Sequence, residues 1–201
     1  MDDGADVSGS DTPSRADIPD GETLLEGISA IQLTPAEHQR VKDLVHGPLL
    51  NRIERHDRRY LVVGAGGEVG AATRRSIVYD ELDGRTDQPA TAIRLEDFDL
   101  TPEEIRLWTR VFDILCGLAT HIVAVLEDFD GGYVWELGLL FAPAYREKAW
   151  VLKRRYDDPE RERARFDNGM AASHVEALLT GERAHEWTTV DELRAAVDEI
   201  P

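Results

Sequence analysis

Apolar positions along the chain change their spacing twice. Residues 1–26 have no periodic apolar face and carry eight acids, one arginine and several Gly, Ser and Pro. Such a segment buries too little apolar area to offset its ordering entropy, so a disordered acidic tail is expected over 1–26. An N-terminal helical segment is expected over 27–58. There Thr34-Pro35-Ala36-Glu37 has the pattern of a capping box with proline at the first helical position. Gly47-Pro48 interrupts the helix it opens. From Tyr60 onward, short apolar runs alternate with helical patterns. Residues 60–63, 90–95, 120–126, 149–153 and 185–188 read as strands. The run 120–126 is β-branched and uncharged, which suits a central parallel strand buried on both faces. Helices are expected over 69–82, 101–118, 132–145 and 159–180, the last with a break near Asn168-Gly169. A final helix starts at Thr189 and sets Leu193, Val197 and Ile200 on one face.

Strands alternating with helices predict an α/β fold over 59–201: a flavodoxin-like, doubly wound, five-stranded parallel sheet in the order 2-1-3-4-5. In that order the winding reverses between the first and third strands. Ligands bind beyond the carboxyl ends of those two strands.

Composition narrows the function classes. The 201 residues are ample for one domain with a real core plus a tail. The 23 Lys+Arg against 40 Asp+Glu give a net charge of -17. No basic stripe is available to displace counterions, so binding along a nucleic acid polymer is disfavoured. Lys153-Arg154-Arg155 with Arg161, Arg163 and Arg165 is interleaved with acids and reads as a solvated helical face. Lysine occurs only at Lys42, Lys148 and Lys153; acid-rich, lysine-poor composition resembles that of salt-accumulating halophilic archaea. The single cysteine, Cys116, excludes an internal disulfide or a Cys-based metal cluster and reads as a small core residue. The uncharged stretch 114–126 falls short of the roughly 20 apolar residues that span a bilayer. The acidic N-terminus has no apolar signal region, so a cytoplasmic protein with no membrane contact is expected. The histidines show no pair at helical metal spacing. Asp128-x-Asp130-Gly131 starts like a calcium loop, but its twelfth position is Leu139. No metal and no cofactor is expected.

Two segments stand out as candidate chemistry. Gly64-Ala65-Gly66-Gly67-Glu68-Val69-Gly70 follows the first strand. Gly64, Gly66 and Gly67 either build a tight strand-to-helix turn or let backbone N–H groups approach a phosphate or sugar. The spacing departs from the dinucleotide fingerprint, and Glu68 would repel pyrophosphate. No acid ends the second strand at the expected place unless Glu96 or Asp97 serves. The second segment runs from Glu127-Asp128-Phe129-Asp130 through Gly131-Gly132-Tyr133-Val134-Trp135-Glu136-Leu137-Gly138. Glu136 is the only charged residue from Tyr133 to Tyr145. A carboxylate on an otherwise apolar helix needs a partner, a proton or a solvated pocket. It is thus a buried ion-pair member or a nucleophile or acid with a tuned pKa. Asp113, with apolar neighbours on both sides, is a further candidate, and His121 reads as structural.

The stretch Asp130-Gly131-Gly132-Tyr133-Val134-Trp135-Glu136-Leu137-Gly138 resembles the D-G-x-x-x-E-[LI]-G signature of the nucleoside 2-deoxyribosyltransferase-like superfamily. Asp113, Gly117 and Ala119-Thr120 before an apolar strand, and the strand Ala149-Trp150-Val151-Leu152, are similar to that family too. The resemblance covers about 58–200 and implies the flavodoxin-like sheet. It implies Glu136 as nucleophile on the anomeric carbon of a ribosyl or deoxyribosyl group, Asp130 orienting sugar or nucleophile, and Asp113 helping to protonate the departing base. Asp128 and Gly132 would line the substrate. The glycine loop resembles that of relatives hydrolysing 2'-deoxynucleoside 5'-phosphates, whose loop holds the phosphate. Asn168 and Met170 would contribute to a site completed across a homodimer. Two departures leave the substrate open: the first loop lacks a stacking aromatic, and Thr120-His121 replaces an acid at the head of the third strand. The resulting expectation is cleavage or transfer of the N-glycosidic bond of a small-molecule nucleoside or nucleotide. The alternatives are a TIR-like NAD glycohydrolase and a non-catalytic nucleotide-binding protein.

Overall fold

The computed structural model describes residues 33–66, 70–129, 133–140, 142–167 and 169–201. The tail 1–26 and the candidates Gly67, Asp130, Gly132 and Asn168 lie outside the described residues.

Helix α1 (Pro35–Val45) opens on the expected capping box. The Thr34 hydroxyl accepts the Glu37 N–H at 3.3 Å, and the Glu37 carboxylate accepts the Thr34 N–H at 2.6 Å. Helix α2 (Pro48–Ile53) follows Gly47 and buries Leu50 and Ile53 in the same cluster as the sheet. The strands β1 (Arg58–Gly64), β2 (Ala90–Ile93), β3 (His121–Leu126), β4 (Ala149–Arg154) and β5 (Ala184–Trp187) form one parallel sheet in the order β2-β1-β3-β4-β5. The fold is therefore the flavodoxin-like arrangement expected from the alternation of elements.

Side-chain alternation divides the core into two layers. Leu61, Val63, Ile122, Ala124, Leu126 and Val151 face one layer, with Leu115 of α4 (Ile105–Leu118), Leu137 of α5 (Tyr133–Leu140) and Val175 of α8 (Gly169–Thr180). Tyr60, Val62, Val123, Val125 and Leu152 face the other, with Val78 of α3 (Ala71–Asp83) and Leu193 of α9 (Val190–Asp198). Both faces are covered, which is why the central strands are apolar throughout.

Three boundaries differ from expectation. The helix expected over 132–145 divides into α5 and α6 (Pro143–Arg146), because Ala142 before Pro143 is extended, at ψ 137. β2 stops at Ile93 and gives way to a 3-10 turn, Leu95–Phe98, that ends in left-handed Asp99 (φ 49). The helix expected from residue 101 begins with a 3-10 turn, Pro102–Glu104, and becomes α-helical at Ile105, although the Glu104 carboxylate still accepts the Thr101 N–H at 3.0 Å. The segment 159–180 is broken as expected, into α7 (Pro159–Arg165) and α8. Among the described residues no helix is long and apolar enough to cross a membrane.

Candidate functional site

Gly64 is the meeting point of the switch region. It closes β1, pairs in register with Val125 of β3 and has φ 145. A Cβ there would lie 2.7 Å from the Val125 carbonyl oxygen and 3.3 Å from the Arg75 side chain. Both the backbone angle and the space therefore require glycine. Among the described residues, by contrast, none comes within 4 Å of a Cβ at Gly66. The sharp turn at Gly64 and the left-handed Gly70 (φ 65) at the N-cap of α3 deliver Arg74 and Arg75 to the carboxyl edge of the sheet.

Arg75 is buried. Its guanidinium donates to the Gly64 carbonyl at 3.3 Å and pairs with the Glu96 carboxylate, which stands just past β2. Among the described residues the Arg75 Nε has no hydrogen-bond partner. Glu136 comes to the same point from α5, with Leu137 and Leu140 of its helix anchored in the core. Burial raises its pKa to about 7, Arg75 opposes the rise, Glu96 adds to it, and a hydrogen bond from the Gly64 backbone again favours the charged form. Near neutral pH this carboxyl group thus exists in both protonation states. Its negative form is favoured by the nearby charge of Arg75 and by a main-chain donor, and Glu96 is the carboxylate paired with that guanidinium.

A neighbouring cluster lies on the other face of the sheet. Glu127, buried just past β3, is gripped by two guanidinium nitrogens of Arg74, Nε and Nη2, and by Arg154 of β4 at 2.6 Å. The Tyr156 hydroxyl donates to the Glu127 carbonyl at 2.7 Å. Glu127 raises the pKa of Arg74. The cluster ties α3, β3 and β4 together at the carboxyl edge.

The sequence-based candidates separate into distinct places. Glu136 and Gly64 come together. Asp113 does not join them: half exposed on α4, it accepts the Tyr145 hydroxyl and faces Arg110 at 3.9 Å. That hydrogen bond reinforces the effect of burial in raising the Tyr145 pKa. Asp128 pairs with Arg165 at 3.0 Å. Met170 is an exposed residue of α8. Cys116 is buried, and burial together with the charges of Asp113 and Glu136 pushes its thiol up to about 12, so it is an inert core thiol. His121 packs on Tyr60 with ring centroids 5.3 Å apart, and burial with Arg58 and Arg85 holds its pKa down at about 4. Among the described residues no group of three or more His, Cys, Asp or Glu is placed to hold a metal ion.

Sequence reasoning left Arg74 and Arg75 unassigned, gave Glu127 no partner and read Arg154 as part of a solvated helical face, whereas Arg154 ends β4 and pairs with Glu127. One signal was available for the first two. Two arginines early in a helix oppose the macrodipole and call for a nearby acid. A cleft of about 690 Å³ beside β4 and β5 is lined by Phe129, Lys153, Tyr156, Phe166 and Val175, among others, and does not include Glu136. Chemistry rather than volume points to the switch region: among the described residues only there do a carboxylate with a strongly raised pKa, a buried arginine and a glycine of positive φ coincide.

No curated protein and no solved structure matches the chain. The sequence model of a family described as "Family of unknown function (DUF8170)" matches residues 20–182, and the chain belongs to that family.

Proposed function

We propose that this family member cleaves or transfers the N-glycosidic bond of a nucleoside or nucleoside 5'-phosphate, with Glu136 as the nucleophile. One observation carries the reading: the Glu136 carboxyl group accepts a hydrogen bond from the Gly64 backbone and lies in the field of the buried Arg75, where the sheet's winding reverses. That is where an open α/β sheet binds its ligands.

The chemistry follows from the charges. The ionised Glu136 attacks the anomeric carbon, a glycosyl–oxygen bond forms, and the carbon–nitrogen bond breaks with its electron pair leaving on the base. The base takes up a proton from solvent. Water or an acceptor hydroxyl then displaces Glu136, which returns as the carboxylate. The Gly64 hydrogen bond and Arg75 stabilise that carboxylate when it leaves. Gly66 and the adjoining loop are the proposed contact for the sugar or its 5'-phosphate. Asp113, turned to Tyr145, is not assigned a role in base departure.

The test is direct. Purified protein in concentrated KCl is incubated with nucleosides, nucleoside 5'-phosphates and NAD, and liberated base is measured for wild type beside Glu136→Gln. The expected result is base released from nucleosides or mononucleotides and a loss of at least ~1000-fold in the variant. Nicotinamide release from NAD alone would favour a TIR-like glycohydrolase. Ligand binding with no base release, unchanged by the substitution, would leave a non-catalytic nucleotide-binding protein.

A further inference from the structure

We propose that Glu96 is the second catalytic carboxylate of this site, the general base that activates water to release the sugar from Glu136; the inference rests on the Glu136 reading. Both carboxylates converge on one structural unit. Arg75 bonds the Gly64 carbonyl and the Glu96 carboxylate, while the backbone of the same glycine bonds Glu136. Arg94 also faces Glu96, at 4.0 Å. Glu96 keeps 43% of its side chain exposed despite its pairing with Arg75, so water reaches it at the crevice.

A cation paired with one carboxylate, whose charge also reaches a second, suits a reaction in two halves. In the glycosyl-enzyme Glu136 is an ester and carries no charge, so Arg75 serves Glu96 alone. Water attacks the anomeric carbon and its proton passes to the Glu96 carboxylate. The bond to Glu136 breaks with its electron pair returning to that carboxylate. Arg75, no longer facing a charged Glu96, then stabilises the released Glu136. A proton leaving Glu96 to solvent restores the starting state. Atoms and charge balance without any further reactant. Asp113, facing Tyr145, is not placed to do this.

The test uses the full chain and the substrate from which wild type releases base. Glu96→Gln keeps a side chain that can accept from Arg75 but cannot take a proton. Its expected behaviour is one rapid equivalent of base followed by turnover at least ~100-fold slower. Glycosyl adduct should accumulate on Glu136 by mass spectrometry, and sodium azide, which attacks without needing a base, should restore turnover and yield glycosyl azide. A merely structural contact would not produce azide rescue. Glu96→Asp, which preserves the charge, should recover part of the rate and covers the case in which Glu96→Gln folds poorly. Wild-type turnover in both variants, or a uniform loss with no burst, adduct or azide effect, overturns the role of Glu96 and leaves Glu136 standing. Wild type and variants that all release no base overturn the glycosidic reading and this inference together.

Discussion

A carboxyl group that titrates at about 7 couples the stability of the fold to pH. The ordinary value for Glu136 is 4.5, so the folded protein holds this proton more tightly than the unfolded chain. The resulting stabilisation is fully present below the ordinary value and is lost as pH rises through the folded value. Denaturant titrations of wild type should therefore lose about 3 kcal/mol relative to Glu136→Gln between about pH 4 and about pH 8. Parallel pH profiles of the two proteins would contradict the burial of this group. In activity the dependence runs the other way. A nucleophile must be ionised, so kcat/KM should rise with pH and level off above about 7. At Gly64, alanine would meet the Val125 carbonyl in a backbone conformation suited to glycine. Gly64→Ala should cost roughly 2 kcal/mol by urea unfolding and remove base release by shifting the Glu136 anchor. Glu136 was legible as a residue because its helix is otherwise apolar. Arg75 was not, and Glu96 was visible only as an acid past the second strand, since nothing in their local sequence says that they share one cation–carboxylate contact across two elements.

Among elements, the clasp around Glu127 does the joining. Arg74 comes from α3, Glu127 from the end of β3 and Arg154 from β4. Glu127→Ala leaves two guanidiniums facing each other over a buried space and should destabilise the protein by about 3 kcal/mol, read as a lower urea midpoint. Adding Arg74→Met and Arg154→Met should recover most of that loss, because a desolvated ion cluster contributes little over apolar packing of similar volume. If the triple variant is no more stable than the single one, the clasp supplies more than charge balance. The caps of α1 and α9 were legible, since a capping box is written within four adjacent residues. The division at Pro143 was overlooked although the proline was visible, because the apolar run on both sides looked continuous. The 3-10 turn after β2 depends on the Arg94 and Asp97 contacts, a local detail that the apolar pattern does not express.

Over the whole molecule, the charge of -17 places many carboxylates within repulsive range of one another. Salt shortens that range, from about 10 Å in 0.1 M to about 3 Å in 1 M. The thermal midpoint should therefore rise steadily as KCl is raised from about 0.1 M to about 2 M, and calorimetry across that series checks it. A flat or falling midpoint would mean that the surface carboxylates are already neutralised by the arginines around them. The sequence by itself determined the sheet, its order and the apolar helix bearing Glu136, because strand and helix periodicities and parallel crossovers follow from local pattern and chain handedness. Only the tertiary structure decided what Glu136 faces and where Asp113 turns. Contacts between β1, the turn after β2, α3 and α5 depend on the register of strands far apart in the chain, and the charge state of a carboxyl group is set by neighbours that only folding brings within reach.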